Sequence, residues 1–285
     1  MSSKLALTIL GTLALGACQR PEPVHPALWQ VDGPGGQKGW LLGTIHALPE
    51  PVEWRSPKIE GALAHSDRLV VEVARIEDAA PVFARLSRSP GLPPLRDRIA
   101  PALRPQLDRV MRERGLKPAD LDPLETWAAA LVLQQELASA DGTKAENGID
   151  RAIVSDYPRK VEEFEGALAQ LSIFDHLAEA DQRVLLESVL RDAFAPDNAS
   201  DAVTRGWARG DLAPTAAETE RGFLGDPELR DALLVGRNRA WSQRLAALLQ
   251  GGAHPFVAVG AAHMAGPQGL PAQLAARGYK VTRVQ

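Results

Sequence analysis

The chain has 285 residues, 45% of them hydrophobic and 24% charged, a balance that excludes disorder and fibrous repeats and suffices to bury a core. Its formal charge of −4 comes from 32 Lys and Arg against 36 Asp and Glu, without the basic excess of a nucleic-acid binder, so no nucleic-acid partner is expected. A single cysteine excludes a disulfide framework and any cysteine-built zinc cluster.

Residues 1–17 combine Lys4 with an apolar run from Leu5 to Ala17, too short to span a bilayer as a helix and of the length of a signal-peptide core. The run ends Leu15-Gly16-Ala17-Cys18, small residues before a cysteine as in a bacterial lipobox, which makes Cys18 the expected lipidation site. A plain secretory signal with a chance cysteine is the alternative. Gln19, where an Asp would retain a lipoprotein at the inner membrane, resembles an outer-membrane sorting signal. The expected organisation is a signal peptide over 1–17, a lipidated Pro-rich tether over 18–28 and one domain over 29–285. That domain would face the periplasm and meet the membrane through its lipid anchor only.

Along the domain, Trp29–Val31 and Gly39–Leu42 flank the turn-rich Asp32–Gly36 and predict a hairpin. A helix over Pro57–Ala64 leads to a strong short strand over Arg68–Ala74. Leu103, Leu107, Val110 and Met111 recur at helical spacing within Leu103–Arg114. Thr126–Ala138 is apolar on several faces and predicts a buried helix. A weaker strand over Lys160–Phe164 precedes a helix over Gly166–Leu177, and Asp181–Phe194 is again helical. Asp226–Leu249 predicts one long helix, with Asp226 as N-cap, Pro227 in the first position and Gly251-Gly252 as the stop. Pro255–Val259, a helix over Leu270–Ala276 and Tyr279–Val284 close the chain. The expected fold class is α/β: a central mixed sheet built from strand-helix-strand halves at the two chain ends, with a mostly helical middle.

The two ends share a pattern of strand, Gly-x-x-His, loop, helix, strand. In the first it is Gly43-Thr44-Ile45-His46, in the second Gly260-Ala261-Ala262-His263. Histidines at the carboxyl ends of strands are well placed for a metal pair; capping or core histidines are the plain alternative. Glu72, inside the apolar Leu69–Val73, is a costly burial unless paired or bound to a cation, or else it faces solvent on an edge strand. Two imidazoles and a carboxylate form a ligand set for Zn²⁺, Mn²⁺ or Fe²⁺. Glu165 is a candidate base or supporting carboxylate, or simply a helix start. Asn238 and Arg239 lie on the late helix, where Arg239 could stabilise an oxyanion or lie on a solvated face.

Trp40-Leu-Leu-Gly-Thr-Ile-His46, Val70-Val-Glu72, Gly148-Ile-Asp150, Arg237-Asn238-Arg239-Ala-Trp241 and Val259-Gly-Ala-Ala-His263 together resemble the TraB/PrgY/GumN family, which is similar to the Tiki metalloproteases. The resemblance implies a sheet like that of the erythromycin-esterase and haem-binding ChaN proteins. It also implies a peptidase-like hydrolase of peptide or small-molecule substrates that uses a divalent ion (Mn, Co or Zn). His46, Glu72 and His263 would hold the metal, and Glu165, Asn238 and Arg239 would serve catalysis. A peptide-, haem- or iron-binding protein without turnover is the alternative.

Overall fold

The computed structural model describes residues 23–195 and 198–285. The expected signal peptide and Cys18 lie outside the described residues. β1 (Leu28–Asp32), β2 (Lys38–Thr44), β3 (Arg68–Val71), β4 (Lys160–Glu163), β5 (Pro255–Gly260) and β6 (Lys280–Arg283) form one six-stranded sheet in the order β4-β3-β5-β2-β1-β6. β1 pairs antiparallel with β2 and with β6, whereas β2–β5, β3–β5 and β3–β4 are parallel. Every strand except β1 therefore runs in one direction. The fold is mixed α/β, as expected, with the two chain ends supplying five strands and β4 coming from the middle.

Each expected half is a βαβ unit. β2 leads through the helix Pro57–His65 to β3, and β5 through the helix Leu270–Ala276 to β6. Ser56 starts the first helix by accepting the Ile59 N–H at 3.3 Å, ahead of Pro57 in the first position. The two helices cover opposite faces of the sheet. Ile59, Ala62 and Leu63 pack with Trp40, Leu42, Phe256 and Ala258, while Leu270 and Leu274 pack with Leu41, Val257 and Val259. Successive side chains along β2 and β5 thus serve alternate layers, which is why both strands read as nearly continuous apolar runs. Connections leaving two adjacent parallel strands over opposite faces open a crevice at their carboxyl ends.

The middle of the chain forms a separate helical core. Leu107 and Val110 of Arg104–Arg114, Trp127 and Leu133 of Thr126–Ala140, and Leu185 and Leu190 of Glu179–Asp192 meet there with Leu229. Thr126 to Ala130 are all buried, matching the many-sided apolar pattern.

Three expectations change. The Arg68–Ala74 strand stops at Val71, so Glu72 stands just past its carboxyl end. The single helix expected over Asp226–Leu249 divides into Pro227–Arg230, a π-helical turn over Asp231–Val235 and Gly236–Gln250. A Cβ on Gly236 would lie 2.8 Å from Asp231 O, so the turn depends on a residue without one. Lastly, the end of the expected tether packs on the body: Val24 and Ala27 are buried, and the Val24 N–H donates to Glu53 O at 2.9 Å. Among the described residues, no helix is long and apolar enough to cross a membrane.

Candidate active site at the carboxyl ends of β2, β3 and β5

His46 and His263 follow the ends of β2 and β5, and Glu72 follows β3, which lies beside β5. All three line one cavity of about 310 Å³. Gly260 lies against them: a Cβ there would come 3.1 Å from His46 Nε2 and 3.4 Å from Glu72 Oε1. The glycine of the second Gly-x-x-His thus clears space for the histidine of the first, and its own N–H donates to Glu72 Oε1 at 2.9 Å.

His46 is oriented by a residue that the sequence reading did not rank. Asp150, in the first turn of the helix Ile149–Asp156, contacts His46 Nδ1 through Oδ2 at 2.6 Å and accepts the Thr44 hydroxyl through Oδ1. That helix docks directly on the His46 loop. The Ile149 N–H donates to Ile45 O at 2.9 Å, and a Cβ on Gly148 would sit 2.1 Å from His46 O. The His46 side chain stays 68% exposed, and the Asp150 charge raises its pKa from 6.5 to about 9.

His263 is the opposite case. It is buried, and Nδ1 stands 2.6 Å from Asn238 Oδ1. Asn238 donates its amide to Gln268 O at 2.9 Å, so Oδ1 is the acceptor and His263 carries its proton on Nδ1. Nε2 then accepts from Arg237 Nη1 at 3.3 Å and lies 4.0 Å from Glu72 Oε2. Burial drives the pKa of this imidazole down to about 3, outweighing the pull of Glu72, and it is neutral at physiological pH. Burial alone would raise Glu72, but His263, His46, Arg237 and the Gly260 N–H together hold it down at about 2.

The guanidinium that reaches this carboxylate belongs to Arg237. Its Nη2 donates to Glu72 Oε2 at 2.7 Å and to Glu165 Oε2 at 2.9 Å, Nε to Glu165 Oε1 at 3.0 Å, and Nη1 lies 3.3 Å from His263 Nε2. Arg239, named from the sequence, is exposed and stands 3.6 Å from Asp231, away from the cavity. Glu165 stands behind Arg237: its carboxylate also accepts Trp241 Nε1–H at 3.1 Å and is committed to holding the arginine. Trp241 stacks on Phe164 at 4.7 Å and lies 4.4 Å from the His263 ring, fixing both from one side. Asn238 is fully buried and serves His263.

Among the described residues, no group of three or more His, Cys, Asp and Glu side chains is arranged to hold a metal ion. The donor chemistry nevertheless fits one. Both imidazoles have Nδ1 tied to an oxygen acceptor, the arrangement that fixes a metal-ligating histidine, and Glu72 is ionised beside them.

The profile of the TraB/PrgY/gumN family matches residues 27–283. The chain is similar to "Uncharacterized protein YbaP" of Shigella flexneri and of Escherichia coli K12, at 28% identity in each case over 85% of this chain and 89% of the relative. No solved structure matches it.

Proposed function

This chain belongs to the TraB/PrgY/gumN family, and on that premise we propose that it is a divalent-metal-dependent, peptidase-like hydrolase carried on the bacterial envelope as a lipoprotein. The observation that carries the reading is the convergence of His46, Glu72 and His263 from separate strand ends onto one cavity, each imidazole oriented through Nδ1. His46, Glu72 and His263 would hold the ion, whether Mn, Co or Zn, which when bound lowers the pKa of a coordinated water and polarises a carbonyl. Asp150 keeps the His46 ring in place, Asn238 keeps Nε2 of His263 deprotonated, and Arg237, braced by Glu165, counters the Glu72 charge. The likeness to erythromycin-esterase and ChaN folds, the Cys18 anchor after a 1–17 signal and the outer-membrane address belong to the same proposal.

The test is metal content and peptide hydrolysis by the lipid-free protein. Stoichiometric divalent metal, with both metal and product formation lost in His46→Ala and His263→Ala, is the expected result. Metal-free protein whose activity is indifferent to both substitutions overturns the reading. One observation favours a second reading, a peptide-, haem- or iron-binding protein without turnover: Arg237 already occupies Glu72 Oε2 and faces His263 Nε2. Saturable binding of peptide or haem with no product would favour it.

A further inference from the structure

His46, Glu72 and Gln170 form a partition rather than one wall. They line the cavity described above and also a second cavity of about 300 Å³ on the side of β3. Its lining is aliphatic: Val71, Val73, Ile76, Ala79, Ala167 and Leu171. At this volume, near the lower end for ligand sites, it has room for one residue rather than an extended segment. The same wall carries the Arg151 guanidinium. The two acids that share the wall are engaged elsewhere, Asp150 with Thr44 and His46, Glu72 with Arg237 and the Gly260 N–H. Among the described residues, no carboxylate forms an ion pair with Arg151. A guanidinium without an acidic partner beside an aliphatic pocket is matched by a carboxylate attached to an aliphatic group.

Resting on the hydrolase reading, we propose that this pocket binds the carboxyl-terminal residue of a peptide, with an aliphatic side chain inside and the terminal carboxylate on Arg151. The scissile amide then falls at the His46–Glu72 partition, and the residue before it enters the other cavity among Thr44, Thr215 and Thr219. Hydrolysis breaks the last C–N bond. The carbonyl carbon takes hydroxide from water, the leaving nitrogen takes the proton, and a free aliphatic amino acid departs from the aliphatic pocket.

The experiment measures equilibrium binding of N-acetyl-Ala-Ala-Leu, its carboxyl-terminal amide, N-acetyl-Ala-Ala-Gly and octanoate to the wild-type protein, Arg151→Gln and Ala79→Phe, and assays the same mixtures for free leucine. The wild type should bind the free acid about tenfold or more tighter than the amide. Arg151→Gln, an exposed position, should keep its circular dichroism and lose that difference. Ala79→Phe should weaken the leucine peptide and spare the glycine peptide. Equal affinity for acid and amide, a preference that survives Arg151→Gln, or octanoate binding as tightly as the peptide overturns the proposal. Carboxylate-dependent binding without leucine release upholds the pocket and overturns the hydrolase reading alone.

Discussion

Replacing Arg237 by Met keeps much of the aliphatic stem and removes the one cation shared by Glu72 and Glu165. The three side chains are 10%, 9% and 14% exposed, so solvent takes up little of the lost interaction. Removing one partner of a buried ion pair costs about 3–5 kcal/mol, because the remaining charge is left without compensation. Two carboxylates are stranded here, but Glu72 keeps the Gly260 N–H and Glu165 keeps Trp241 Nε1–H, so a loss within that range is expected at pH 7. Urea unfolding, followed by tryptophan fluorescence and circular dichroism, measures it. The pH dependence supplies a second check. Glu72 is held at about 2, below its ordinary 4.5, so its contribution is present above 4.5 and is lost as pH falls toward 2. In Arg237→Met the unpaired Glu72 takes up its proton at higher pH, so the gap between variant and wild type should narrow as pH falls from 7 to 4. Adding Glu165→Gln to the variant should recover part of the loss. A deficit under about 1 kcal/mol at pH 7, or one that does not change with pH, refutes the account, since exposed pairs alone give that little.

Asp150→Asn should return the His46 pKa from about 9 toward 6.5, read as the pH-dependent shift of its imidazole resonance. Because the raised value stabilises the fold fully below 6.5 and ceases to do so as pH rises through 9, the same variant should flatten stability across that window. Gly148→Ala places a Cβ 2.1 Å from His46 O and should destabilise by about 1–3 kcal/mol in thermal unfolding. Gly61→Ala, in the interior of Pro57–His65 with nothing within 4 Å, should instead stabilise by about 0.5–1 kcal/mol.

β2, β3 and β5 were legible because their burial writes nearly unbroken apolar runs, and because Gly-x-x-His closes two of them. Glu72 stood out for the same reason, as a carboxylate inside such a run. Asp150 did not, because an acid in a first helical turn is what the macrodipole favours anyway, and only tertiary packing brings it onto His46. Arg239 is the arginine that the resemblance implies, and Arg237 lies two residues, about 200°, away around the helix, so only tertiary packing shows which of the two meets Glu72. The π turn over Asp231–Val235 was not legible either. Gly236 is the sole local trace of that turn, and a glycine inside a helical pattern has many readings. Glu165 was visible as an acid after a strand, yet its role as the brace of Arg237 depends on a contact 72 residues away.

β5 lies between β3 and β2, yet nearly all of the chain is made before it. Until Pro255–Gly260 emerges, the nascent polypeptide can offer only two unjoined ribbons, β4 with β3 and β2 with β1, each with a bare hydrogen-bonding edge of the kind that recruits other strands. A translation product that stops short of β5 is then a separated pair of sticky fragments rather than a weakened protein. Folding of such a chain waits on its last strands.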